Sequence, residues 1–218
     1  MVALGSAFET DDGHGRTVYT APIVLTALAA AVLLAAGTLV FEIGNSFAWR
    51  DAAENVSRFS VLVFVVAISA EPLSRIFRTR FTRGLARERS SLILAFVVAS
   101  FVSLVGNLAS LRLGGAPLSL PALTYAVLSA AILIVMLFSE HPATRKRLGG
   151  PAWRTMQRIA TAYFWLVFTV TALNHFSAPD VTDRWWGISL LLLIIAVLIQ
   201  FVDGLWSKLR GATSEKAA

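Results

Sequence analysis

The chain has 218 residues, 56% hydrophobic and 15% charged, with a mean hydropathy of +0.70. Soluble domains carry about 25% charged residues, so a water-soluble globule is excluded and one membrane domain is expected. There is no cysteine, and histidine occurs only at His14, His141 and His175; disulfides, thiolate metal sites, iron–sulfur clusters and a cysteine nucleophile are thereby ruled out.

Met1–Tyr19 is acidic and glycine-rich, with Glu9, Asp11 and Asp12 against a lone Arg16. That charge is wrong for a secretory leader, so the first apolar stretch reads as a retained signal-anchor behind a cytoplasmic tail, residues 1–19. A bilayer core about 30 Å thick needs roughly 20 apolar residues per helix. Six stretches meet this: Thr20–Phe41, Arg58–Phe77, Ser91–Leu111, Leu120–Phe138, Ile159–Phe176 and Trp186–Trp206. The second has a short uninterrupted core, Phe59–Ala70, and reaches full length only with Glu71 and Pro72. A re-entrant segment is therefore its alternative. The expected fold is an all-α integral membrane protein, a six-transmembrane-helix bundle over residues 20–206, with 207–218 as a second cytoplasmic tail. Trp185, Trp186 and Trp206 bracket the last span as interfacial aromatics do.

The basic residues choose an orientation. Fifteen of the 19 lie in the N-terminal tail, from the end of span two (Arg75) to span three, between spans four and five, or after span six; the other four are Arg50, Arg58, Arg112 and Arg184. The positive-inside rule places the crowded side, and both termini, in the cytoplasm. A net charge of +6 and a pI near 10.5 also invite a nucleic-acid reading. The sequence holds no recognition motif or aromatic-interleaved basic face, and its charge borders the inner leaflet, so lipid is the expected partner and nucleic acid is not. No glycine-rich phosphate loop and no internal repeat is present.

Within the spans, Ser100, Ser103, Asn107 and Ser110 share one side of the third helix beside Gly106, and Thr161, Thr169, Thr171, Asn174 and His175 lie on the fifth. Close helix packing is the favoured reading of these faces; a cofactor pocket between helices three and five is the alternative. His175 is the one histidine within a span, a position that is expensive and commonly functional, although a hydrogen-bonded interfacial histidine is the simpler reading. Asp203 and Gln200, one turn apart in the sixth span, suit snorkelling or a helix–helix hydrogen bond better than an ion relay. Met136 and Met156 suit core packing better than ligation.

Ser139 to Tyr163 reads SEHPATRKRLGGPAWRTMQRIATAY. Ser139, Arg147-Leu148-Gly149, Trp153, Met156-Gln157-Arg158 and Tyr163 resemble a signature of the ferric-reductase-like transmembrane domain family. The nearest pattern is that of the haem-binding membrane subunits of periplasmic methionine sulfoxide reductase systems. Arg58-Phe59 through Ala70-Glu71-Pro72-Leu73 resembles the family's second helix, and Arg89 through Ala95-Phe96 and Ala99 the start of its third. The resemblance implies a bacterial inner-membrane electron-transport protein with b-type haem held by histidines of helices three and five. Those ligand positions fall at Val102, Gln157 and Val170, none of them histidine. His175 lies five residues past Val170, turned by about 140° on a helix, and is the remaining candidate haem ligand. Two expectations follow. One is a haem-free descendant, without catalytic or metal-binding residues, serving as a membrane scaffold or partner subunit. The alternative is a haem-dependent oxidoreductase subunit passing electrons from cytoplasmic flavin or quinol to a periplasmic acceptor.

Overall fold

A computed structural model describes residues 9–11, 17–19, 21–41, 48–113, 119–140, 142–176 and 184–215. Glu9–Asp11 (β1) and Thr17–Tyr19 (β2) pair as a short antiparallel ladder, Thr10 opposite Val18. The described elements after it are helices: α1 Ala21–Phe41, α2 Ala48–Ile76, α3 Arg80–Arg87, α4 Arg89–Leu113, α5 Leu120–Ser139, α6 Pro142–Leu148, α7 Gly150–Phe176 and α8 Trp185–Glu215. Six of these, α1, α2, α4, α5, α7 and α8, are long and apolar enough to cross a membrane. That is the build of a multi-pass membrane protein. Leu25, Leu33, Leu120, Val127, Ile159, Leu191 and Phe201 stand exposed around it, an outward apolar surface that water would not tolerate and lipid does.

Several boundaries differ from the sequence reading. The second span is one continuous helix of 29 residues, about 44 Å long, and Pro72 sits inside it without ending it. It starts ten residues before Arg58, because one face of that polar stretch, Ala48, Ala52, Ala53 and Val56, is buried. On another face Glu54 pairs with Arg58 one turn on at 3.0 Å. The fifth span likewise starts at Gly150, nine residues before Ile159. The sixth continues as helix past Trp206, through residues expected as a tail, to Glu215. Two arginine-rich connections contain short helices, α3 and α6. Thr79 caps the first, accepting from the Thr82 amide at 3.2 Å. Gly149, between α6 and α7, has φ +75°, a backbone state that a residue with a Cβ enters at a cost.

Packing is densest between α2 and α4; α1 lies across both, and α8 packs on α2 and α7. A Cβ added to Gly106 of α4 would stand 3.0 Å from the Ala53 Cβ of α2, so glycine sets that spacing. Beside it Ser103 donates to the Ala53 carbonyl at 3.1 Å, a hydroxyl bond across a close helix pair. The centre of the bundle is aromatic. Phe64, Phe96, Phe164 and Phe168 interlock from α2, α4 and α7, with ring centroids 5.1 to 6.2 Å apart in mostly tilted or edge-to-face pairs. Val61, Leu133, Met136, Ala160 and Leu193 complete this core.

Candidate functional site

The two ends of the bundle hold different polar chemistry. At the end where α2, α5 and α8 finish and α4 and α7 begin, the arginine-rich segments meet. Arg75 of α2 binds Glu71 on its own helix and Asp203 of α8, the latter at 3.1 Å, and Arg89 of α4 reaches Glu71 at 3.4 Å. Asp203 is thus the helix–helix contact preferred from sequence, with an arginine as its partner. Deeper at this end, the Gln157 amide donates to Ser139 Oγ at 2.7 Å and to Glu140 Oε1 at 2.8 Å. Ser90 donates to the other carboxylate oxygen of Glu140, and the Trp153 indole donates to the Ser139 carbonyl at 3.1 Å. The residues of the Ser139–Tyr163 signature therefore build a hydrogen-bonded joint between α4, α5 and α7.

At the opposite end the polar groups face a cavity of about 400 Å³. From α2 and α4 come Arg50, Glu54, Ser57, Ser60, Ser100, Ser103 and Asn107; from α5, α7 and α8 come Tyr125, Ser129, Leu133, Phe164, Phe168, Thr171, His175 and Trp186. Arg50 to Ser60 spans ten residues of helix, so the cavity runs about 15 Å inward. It stops on the phenylalanine core. Near the mouth, His175 stacks on Trp186, centroids 4.5 Å apart and planes within 10°. The Trp186 indole donates to Glu54 Oε1 at 3.1 Å, and the Arg58 guanidinium lies 6.0 Å from the Trp186 ring. Trp186 is 2% exposed, so it is a packed anchor joining α2, α7 and α8 and not the interfacial belt residue expected from its place beside a span. Trp206, by contrast, is 49% exposed.

The sequence candidates part company here. Ser100, Ser103, Asn107, Thr171 and His175 come together on the cavity; Ser110, Thr161, Thr169 and Asn174 do not line it. Val102 packs beside Ala31, Val56 and Ala99, toward α1 and α2. Gln157 is buried in the joint at the other end, and Val170 is 47% exposed on the outer surface of α7. The three positions aligned with haem ligands thus face three directions. Met136 is core, as expected. His14 and His141 lie outside the described residues.

A b-type haem between α4 and α7 needs strong axial ligands converging from those helices. Val102, Gln157 and Val170 supply none; among the described residues on the cavity, His175 of α7 and Tyr125 of α5 are possible iron ligands, and α4 contributes none. The residues present do not fit a haem held between α4 and α7. Among the described residues, no three His, Cys, Asp or Glu side chains cluster as a metal site. Sequence reasoning missed Glu54, Ser57, Tyr125 and Trp186 as cavity residues; Glu54 and Ser57 precede the expected second span, and the period-four spacing of Tyr125 and Ser129 was the available signal. No family model, curated protein or solved structure matches the chain.

Proposed function

We propose that this chain is a haem-free membrane protein of ferric-reductase-like architecture, acting as a scaffold or partner subunit in a bacterial inner membrane. The observation that carries this reading is the phenylalanine core. Phe64, Phe96, Phe164 and Phe168 occupy the middle of the bundle against one another, while Val102, Gln157 and Val170 point elsewhere. In this reading the bundle is held together by its own side chains and takes no prosthetic group to complete it. The gathering of the arginine-rich segments at one end supports an orientation with that end, and both termini, in the cytoplasm. In this reading the chain supplies membrane anchorage and surface, and a second protein supplies the chemistry.

The test is a spectrum. Protein purified in mild detergent from haem-replete cells is recorded oxidised and after dithionite. A haem-free bundle shows no Soret band near stoichiometry. A stoichiometric band with sharp reduced b-type maxima, lost in His175→Ala, would replace this reading by the electron-transfer one.

A further inference from the structure

The cavity at the arginine-poor end mixes hydroxyls with hydrocarbon. Ser57 and Ser60 of α2 and Ser100 and Ser103 of α4 set hydroxyls along its depth. Leu133, Phe164, Val167 and Phe168 of α5 and α7 add hydrocarbon and aromatic rings beside the hydroxyl of Ser129. Most of the deep hydroxyls are already committed: Ser60 donates to the Val56 carbonyl at 3.0 Å, Ser103 to Ala53, and Ser129 shares a 2.7 Å bond with Tyr163. Ser100 is different. The residue is 9% exposed and lines the cavity, and its Oγ, itself closed off from solvent, has no hydrogen-bond partner. A helical serine ordinarily satisfies itself on the carbonyl one turn back, and an unsatisfied buried hydroxyl is costly. A ligand oxygen that the hydroxyl turns to meet removes that cost.

From this we infer that the cavity is a binding site for an uncharged, oxygen-bearing ring compound. Its oxygen bonds Ser100 and its ring lies against Phe164 and Phe168. The volume is that of a small-molecule site, about 300–1,000 Å³, with the usual makeup of apolar wall and few placed polar groups. Charge argues for a neutral ligand. Glu54 at the mouth is held by Arg58 and Trp186, and Arg50, the other charge, is exposed at the rim and far from the deep hydroxyl. A charged group carried down to Ser100 would meet only hydroxyls and phenyl rings, which do not repay its desolvation. The inference rests on the haem-free reading, since His175, the candidate haem ligand, lines this same cavity.

Three probes of one size test it: 2-naphthol, naphthalene and 2-naphthoate, titrated into nanodiscs holding the protein, with empty nanodiscs subtracted. Naphthol is expected to bind at one site about tenfold more tightly than naphthalene, the worth of one hydrogen bond, and to quench Trp186 fluorescence, a signal lost in Trp186→Phe. Ser100→Ala removes a hydroxyl with no partner, so the thermal midpoint of the unliganded protein is kept or raised while the naphthol preference falls to within about twofold. Ala126→Phe, which fills the cavity, abolishes saturable binding; gel filtration verifies that it is folded. Equal binding of naphthol and naphthalene, or a preference unchanged in Ser100→Ala, would make the cavity an apolar void and overturn the inference. Tighter binding of naphthoate would overturn its neutral assignment, and no saturable binding at all would end it.

Discussion

The two ends of this bundle use the same residue types to opposite effect. At the arginine-rich end, Ser139, Glu140, Ser90 and Gln157 are closed on one another, so serine and carboxylate act as fasteners between helices. At the other end Ser57, Ser60, Ser100 and Glu54 border open space, and an aromatic pair, His175 on Trp186, stands near the mouth. The difference lies in the neighbours. Gln157 is long enough to reach across from α7 to α5 and fill the gap, whereas at the same depth from the other end α7 offers Thr171, which is too short. A polar face in a membrane helix becomes glue or lining according to what the facing helix can extend to meet it.

Substitutions separate the ends from each other and from the core between them. Phe96→Ala removes the ring that touches Phe64, Phe164 and Phe168 and is expected to cost about 3 kcal/mol. That is the low end for such a cavity, because lipid is as apolar as the core; thermal unfolding in detergent measures it. Gln157→Ala at the fastened end leaves Ser139 and Glu140 short of a donor and should cost about 2 kcal/mol. An unchanged midpoint would show that this network is ornamental. Arg75→Ala breaks a half-exposed ion pair to Asp203 and should cost under about 1 kcal/mol, shrinking further in high salt. At the open end Ser100→Ala removes an unpartnered hydroxyl and is expected to leave stability unchanged or slightly raised, the one substitution of the series without a cost. If it were instead as costly as Gln157→Ala, the contrast between the ends would collapse.

The contrast also has a sidedness. The chain has no cysteine, so single cysteines report cleanly. In intact cells a membrane-impermeant maleimide is expected to label Ser119→Cys, at the start of α5, and to reach Arg83→Cys of α3 only after permeabilisation. The reverse pattern would invert the orientation.

Much of the fold is written in the apolar runs, since a helix in lipid must be apolar over its whole crossing whatever it packs against. Each of the six expected spans falls on one of the long helices of the bundle. What escaped was helix beyond the hydrocarbon. Asp51, Glu54 and Arg58 made the start of α2 look like a loop, although Ala48, Ala52, Ala53 and Val56 lie on one buried face. The start of α7 was hidden in the same way by Arg154 and Arg158. The cavity was half legible. Serine spacing marked the α4 face and His175 marked α7, but whether such a face is filled depends on side chains 20 to 70 residues away. Trp186 was misjudged for a similar reason: an indole beside a span looks interfacial until Glu54 and His175 are found against it.

The central claim is that the bundle is complete without a prosthetic group. It is met most directly by comparing the thermal midpoint of protein made in cells unable to synthesise haem with that of protein from haem-replete cells. A ligand that binds the folded state raises its stability in proportion to occupancy. A bundle closed by its own phenylalanines predicts the same yield and the same midpoint from both. A midpoint several degrees higher in the haem-replete protein, or failure to accumulate without haem, would contradict it.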